Sequence, residues 1–220
     1  MVTWQLLPAP PWGMIPPASL AWTAPVTDGL NLHLDAAAQV AAVGLSPAND
    51  VWTNLAQQPD SVASSARLRH FGEVAQSGWV SDGSPASPYA LRLDGKQTYG
   101  QGPGNRELAE LTLEVRAKVE GHTLRAATLI GNDFRNGGIS LQVASAVETL
   151  QLLHGVTFAQ VDADVSRSEW HQVVAVISLS EAQFYVDGAY ACSLPLERSL
   201  QADHYPAFEL GGAFAGTARG

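Results

Sequence analysis

The sequence predicts an all-β, antiparallel sandwich, and three observations carry that expectation. Apolar and polar residues alternate with a period of two, most cleanly at Leu111, Leu113, Val115, Ala117 and Val119, the pattern of a strand with one buried face. Turn dipeptides, among them Asp94-Gly95, Asn136-Gly137 and Asp187-Gly188, separate the runs at short intervals, which suits hairpins. Hydrophobic residues make up 46% of the 220 and charged residues only 15%. That is ample for a core and too little charge for a coiled coil or a disordered chain.

Taken in order, the elements begin with a stretch set apart from the rest. No charge appears before Asp28 and no Lys or Arg before Arg67, while Trp4, Trp12 and Trp22 fall in the opening 27 residues. Leu6–Val26 is long enough to span a bilayer, but Pro8, Pro10, Pro11, Pro16, Pro17 and Pro25 would each break a helix, so a transmembrane segment is not expected. A basic n-region and an unbroken apolar h-region are missing, so neither is a signal peptide. Residues 1–27 read as an apolar, Pro/Trp-rich leader or linker, with a noncanonical export signal or a strap packed on the domain as the alternatives, and residues 28–220 as the domain. Leu30, Leu32 and Leu34 alternate as a half-buried strand. Asp35 is placed to cap a short helix over Ala36–Val43, with Gly44 as its stop. Residues 44–66 read as a loop anchored at Val51-Trp52, Arg67–Phe71 as a short strand, and Asp82–Pro88 as a loop.

From Tyr89 onward strands are dense. Tyr89–Leu93, Leu111–Val119, Thr128–Ile130, Ile139–Val143, Thr149–Leu153, Trp170–Ile177, Ala182–Val186, Tyr190–Ser193 and a last one beginning at Phe208 are expected. Val173–Ile177 is a continuous apolar run, which predicts cover on both faces. Gly100-Gln101-Gly102-Pro103-Gly104 matches neither a P-loop nor a dinucleotide fingerprint and reads as a loop.

The formal net charge of −9 (12 Lys+Arg against 21 Asp+Glu) excludes a general nucleic-acid binder. The single cysteine, Cys192, excludes an intrachain disulfide and a Cys-rich zinc site, and it reads as a buried small apolar residue. The six histidines show no metal-ligand spacing, and no G-x-S-x-G nucleophile elbow is present. Asp162-Ala163-Asp164 starts like a calcium loop but lacks its later Gly and acid.

Several segments together resemble the LamG-like jelly-roll domains of the concanavalin A-like lectin/glucanase superfamily. They are Gly29–Asp35 (GLNLHLD), Leu91–Gly95 (LRLDG), Leu111–Val119 (LTLEVRAKV), Thr128–Gly131 with Gly138–Val143, Glu169–Val176 (EWHQVVAV) and Phe184–Gly188 (FYVDG). Order and spacing agree over about Asp28–Gly212. The resemblance implies that Trp170 fills the core, that His171 faces out or bonds a neighbouring strand, and that Asp187-Gly188 serves a turn. It also implies a closing strand after the Phe208–Gly211 segment. Ala213–Gly220 carries no such strand, so the domain is expected to be one strand short, with the apolar leader or a partner chain available to cover the open edge.

Glycoside hydrolases of the superfamily use acids at alternate strand positions. The nearest match, Glu110-Leu111-Thr112-Leu113-Glu114, has Thr112 where the central acid belongs, so both glutamates read as outward charges and no catalytic residue is assigned. The resemblance therefore implies a non-catalytic recognition or adhesion module for carbohydrate or protein. It would be part of a larger secreted or surface protein of bacterial type. A glycan-active hydrolase or lyase on the same fold and a structural spacer are the alternatives. Tyr99, Phe134, Tyr185 and Tyr190 are the candidates for a sugar-stacking platform. Asn132 and Asp133, in an inter-strand loop, are the candidates for Ca²⁺, the one cofactor the resemblance suggests. Calcium bound to the native state would raise the melting temperature. An unchanged midpoint in millimolar Ca²⁺ would sink that assignment.

Overall fold

The computed structural model describes residues 2–5, 33–45, 50–56, 66–69, 78–84, 87–93, 99–104, 110–119, 127–131, 139–144, 149–154, 157–161, 165, 169–196 and 207–211. Among them are one helix and fifteen strands. The strands are β1 (Val2–Gln5), β2 (Val51–Trp52), β3 (Ala66–Arg69), β4 (Gly78–Val80), β5 (Ala90–Leu93), β6 (Tyr99–Gly104), β7 (Leu111–Val119), β8 (Ala127–Gly131) and β9 (Ile139–Val143). They continue with β10 (Leu150–His154), β11 (Thr157–Val161), β12 (Trp170–Ile177), β13 (Glu181–Val186), β14 (Ala189–Pro195) and β15 (Ala207–Leu210). One sheet has the order β14-β13-β12-β7-β1-β5-β4 and the other β11-β10-β9-β8-β15-β6-β3-β2, and their pairings are antiparallel. The predicted antiparallel sandwich is the observed architecture.

Period-two patterning assembles the core. Leu113, Val115, Ala117 and Val119 of β7 face inward with Val173, Ala175 and Ile177 of β12 and Leu91 and Leu93 of β5. They form one apolar cluster with Leu129, Ile139, Leu141, Leu150, Leu152 and Val161 of the facing sheet. Burying side chains of this size contributes about 1.5–3 kcal/mol each before conformational entropy is counted.

The helix α1 (Ala36–Val43) forms where its caps predict. The Asp35 carboxylate accepts from the N–H groups of Ala37 (2.7 Å) and Ala38 (3.1 Å), and Gly44 ends the helix at φ +74°, a conformation that suits glycine. Buried Gln39 projects from α1 onto β2: its Nε2 donates to the Val51 carbonyl (2.7 Å) and its Oε1 accepts from Thr53 N–H (3.0 Å). The side-chain amide thus stands in for a neighbouring strand at the sheet edge. Trp52 of β2 is wholly buried and meets Trp79 of β4 edge-on, with centroids 5.2 Å apart. That contact joins the two sheets at their β2 and β4 edges.

Several expectations are corrected. His33 and Leu34 lie outside any strand, although His33 N–H donates to Asn54 Oδ1 and its carbonyl accepts from Leu55 N–H; Leu30–Leu32 lie outside the described residues. Gly100–Gly104 is not a loop but part of β6, paired with β3 and β15. Flanking strands supply the hydrogen bonds that weak intrinsic propensity does not, and Pro103 lies past the last residue paired to β3 and, on the β15 side, where the register shifts between Ala207 and Glu209. Val174 and Val176 are only half-buried, so β12 is covered on one face and not both. Val51-Trp52, read as an anchor within a loop, is strand β2 paired with β3, and β4 and β11 were not anticipated. Within the stretch expected to be a leader, Val2–Gln5 is a strand of the domain's own sheet; residues 6–32 lie outside the described residues.

Gly131 has no room for a side chain. A Cβ there would lie 2.6 Å from Ser140 Cα and 2.7 Å from the Ile139 carbonyl oxygen, both backbone atoms of the paired strand β9. Gly131→Ala is therefore expected to cost about 1–3 kcal/mol in urea denaturation, the usual range for overpacking. A loss below about 0.5 kcal/mol would mean that β8 and β9 separate at little cost.

Candidate ligand-binding face

The outward positions of β7, β12, β13 and β14 form a band of polar and aromatic side chains on the seven-stranded sheet. Alternation places Glu114, Arg116 and Lys118 of β7 on this face, with Trp170, Gln172 and Val174 of β12 and Gln183 and Tyr185 of β13. Register sets their neighbours. Trp170 lies opposite Lys118, Gln172 opposite Arg116 and Val174 opposite Glu114. Val174 also lies opposite Tyr185, and Tyr185 opposite Tyr190 of β14.

Each pair makes a specific contact. The Arg116 guanidinium sits 5.6 Å from the centre of the Trp170 ring, a cation–π contact. Gln172 Nε2 donates to Glu114 Oε1 at 2.6 Å, diagonally across the β7–β12 ladder. Tyr185 and Tyr190 meet edge-on with centroids 5.7 Å apart, and the Tyr185 hydroxyl donates to Gln183 Oε1 (3.0 Å). Tyr190 is 59% exposed. Val174, the position facing Tyr185, is four steps along β12 from Trp170, roughly 13 Å along the strand. The band therefore carries aromatic surface at both ends, with amide, carboxylate and guanidinium groups between them.

A clip at one end holds β12 in place. Asp187 and Gly188 have φ of +51° and +78°, the left-handed pair of a tight two-residue hairpin. The hairpin folds back on β12: Asp187 Oδ2 lies 2.8 Å from His171 Nδ1, its Oδ1 accepts from Gln172 N–H (2.9 Å), and its own N–H donates to the Gln172 carbonyl (2.9 Å). Asp187 thus fixes the start of the strand carrying Trp170 and Gln172, a role beyond the turn expected of it.

This geometry reverses one expectation. Trp170 does not fill the core; it lies half-buried on the outer face under Arg116, while His171 is turned inward and 9% exposed. Inward residues of β12 are set by its register with β7, so His171 shares a face with Val173, Ala175 and Ile177. His171 does bond a neighbouring element, as expected, through Asp187.

Of the four aromatic candidates, the structure brings Tyr185 and Tyr190 together. Tyr99 is in β6 of the other sheet, opposite Arg69, and Phe134, Asn132 and Asp133 lie outside the described residues. Among the described residues no group of three or more His, Cys, Asp or Glu side chains is placed to hold a metal ion. Glu110 is exposed just before β7, whereas Glu114 is outward but partly covered and tied to Gln172. Cys192 is only half-buried, and desolvation pushes its thiol up. Sequence reasoning missed Trp170, Arg116, Gln172 and Glu114 as one cluster. The alternation of β7 was the usable signal, because any strand paired with it inherits the same division of faces.

Burial acts on Glu114 and Arg116 of the band. Desolvation raises the Glu114 carboxyl above its ordinary 4.5, partly offset by the Gln172 hydrogen bond. Desolvation also lowers Arg116, partly offset by the charge of Asp187. For Glu114 the native state binds the proton more tightly than the unfolded chain does. Its contribution to stability is complete below about pH 4.5 and is lost as pH rises through the elevated value. Glu114→Gln is expected to be more stable than wild type at neutral pH, with the advantage growing between about pH 4 and 7. Urea denaturation across that range checks it; a pH-independent difference would contradict the desolvation account.

A family model described as the concanavalin A-like lectin/glucanases superfamily matches residues 94–219. No curated protein sequence matches the chain. Among solved structures, it is similar to domain 4 of AbnA, an extracellular GH43 arabinanase of Geobacillus stearothermophilus, solved with arabinotriose. Identity is 13% and the TM-score 0.55, over 76% of this chain and 81% of that one. It is also similar to the receptor-binding domain of botulinum neurotoxin C/D mosaic serotype, at 11% identity and TM-score 0.56, over 84% of this chain and 44% of that one. The binding domain of botulinum neurotoxin DC, solved with rat synaptotagmin II, gives 11% identity and TM-score 0.51, over 76% and 44%. The chain thus spans less than half of either neurotoxin domain, and at these identities the likeness is one of fold. With the family match covering more than half of the sequence and the two-sheet topology agreeing with it, the chain belongs to the concanavalin A-like lectin/glucanase superfamily.

Proposed function

We propose that this chain is a non-catalytic recognition module that binds carbohydrate on the outer face of β7, β12, β13 and β14. The observation that carries the reading is the spacing of aromatic surface at the two ends of a band of hydrogen-bonding groups. Tyr185–Tyr190 and Trp170–Arg116 flank Gln172, which is bonded to Glu114, while Gln183 lies just past Tyr185 and accepts from its hydroxyl. Sugar rings present apolar C–H faces that lie on aromatic rings and hydroxyls that need donors and acceptors. A few convergent polar groups among apolar ones is the composition of a ligand site.

The reading is supported by the fold likeness to domain 4 of AbnA, solved with arabinotriose. The neurotoxin domain solved with rat synaptotagmin II supports a protein ligand as the second reading. We place the module outside the cell, as part of a larger secreted or surface protein, as the extracellular arabinanase domain is. Among the described residues no helix is long and apolar enough to cross a membrane.

Titration with a panel of neutral and acidic oligosaccharides, arabino-oligosaccharides included, tests the reading by calorimetry. At least one class is expected to bind, and Tyr190→Ala, which removes an exposed ring, to weaken it about tenfold, or about 1.4 kcal/mol, with little change in melting temperature. Trp170→Ala is expected to weaken it by a similar factor. Binding unaltered by both substitutions would move the site elsewhere. Hydrolysis of the sugars that Glu114→Gln abolishes would replace the reading with the enzymatic one.

A further inference from the structure

The seven-stranded sheet is continuous only through β1. On one side Val2, Thr3 and Trp4 lie opposite Leu93, Arg92 and Leu91 of β5. On the other, Val2, Thr3, Trp4 and Gln5 lie opposite Val119, Lys118, Ala117 and Arg116 of β7. β5 and β7 do not pair with each other. Their separation across β1 is two strand spacings, about 9.6 Å. Without β1, both strands would present unpaired N–H and C=O groups beside a closed core, since Leu91, Leu93, Ala117 and Val119 are at most 4% exposed. Such an edge is a template for another strand.

The occupant of this gap is held by pairing rather than by local sequence, because Gln5 and Ala90 stand 85 positions apart. The register places Val2 and Trp4 in the rows of those four core residues and Thr3 in the row of Arg92 and Lys118. We infer that the β5–β7 gap is a strand-acceptor site for an extended segment with this alternation, and that the same segment of a second copy can fill it. The tether that keeps β1 in its own gap is long, and closure entropy grows slowly with loop length. It supplies an effective concentration below the roughly millimolar value of a short flexible linker, since that value falls as the tether lengthens. A copy's own β1 therefore holds the gap at micromolar protein, and exchange sets in as the concentration rises toward that range or when the resident strand is disabled. Exchange of an identical element is a low-cost route to a dimer, and a backbone-paired strand is a general mode of peptide capture.

The test uses a fluorescent peptide of residues 1–7 and the full chain carrying Thr3→Pro, since proline breaks the ladder inside a sheet. Saturable one-to-one binding to Thr3→Pro is expected from fluorescence anisotropy, at least tenfold tighter than to wild type, whose gap is filled. The peptide with the same proline is expected not to bind. No saturable binding, or equal affinity for both chains, would overturn the inference. A second measurement leaves the resident strand undisturbed. Two copies in a Cys192→Ser background, one with Thr3→Cys and one with Lys118→Cys, are mixed at high concentration. Residues directly opposite in a ladder stand about 5 Å apart, within disulfide reach. A covalent heterodimer is expected; none, or as much with Glu181→Cys in place of Lys118→Cys, would refute exchange.

Discussion

The long antiparallel ladder between β7 and β12 sets the terms for the rest of the molecule. It runs from Trp170 opposite Lys118 to Ile177 opposite Leu111. Because side chains alternate strictly across a strand, one register decides both faces at once. Inward it commits Val115, Ala117, Val173 and Ala175 to the inter-sheet core. Outward it commits Glu114, Arg116, Trp170 and Gln172 to a single exposed surface. A slip of one residue would send Trp170 inward and Val173 outward. The apolar cost of that exchange locks the polar band in place, so the candidate site is positioned by the core beneath it.

The same dependence explains which parts of the fold were legible in the sequence. Helix α1 was readable to the residue because its signals are local: a capping carboxylate at Asp35, small apolar residues, and Gly44 at a left-handed stop. β7, β9 and β12 were readable because their periodicity or apolar density is strong. β6 was not, because Gly100, Gly102 and Pro103 carry no strand preference and are recruited by β3 and β15, which lie far away in sequence. β1 is the same case in sharper form. Nothing local marks Val2–Gln5 as a central strand; only its two partners do.

The site was half legible for a related reason. Tyr185 and Tyr190 stand out as aromatics flanking a recognisable hairpin, and the tight turn at Asp187-Gly188 forces them opposite each other. Trp170 was misplaced because Val173 to Ile177 is apolar at every position, so the strand itself does not say which parity faces in. His171 looks polar enough for the surface, yet Asp187 meets its Nδ1 and satisfies it against the core. A buried histidine with a carboxylate partner and an outward tryptophan under an arginine invert what hydrophobicity alone would assign.

That inversion bears on function. A stability-optimised outer face would hold small polar residues with fully hydrated charges. This one carries a tryptophan and a tyrosine pair, and it withdraws a carboxylate and a guanidinium from water. Burial raises Glu114 and lowers Arg116, so each charge is held at some cost to the folded state. Both costs fall on successive outward positions of one strand, beside the ring that Arg116 covers. Partly dehydrated polar groups with fixed geometry lose less on meeting a ligand than freely hydrated ones, since part of their water is already gone and their side chains are already ordered. On the carbohydrate reading proposed above, such groups would suit a neutral, hydroxyl-bearing partner, one that replaces the missing water without bringing a charge of its own to desolvate.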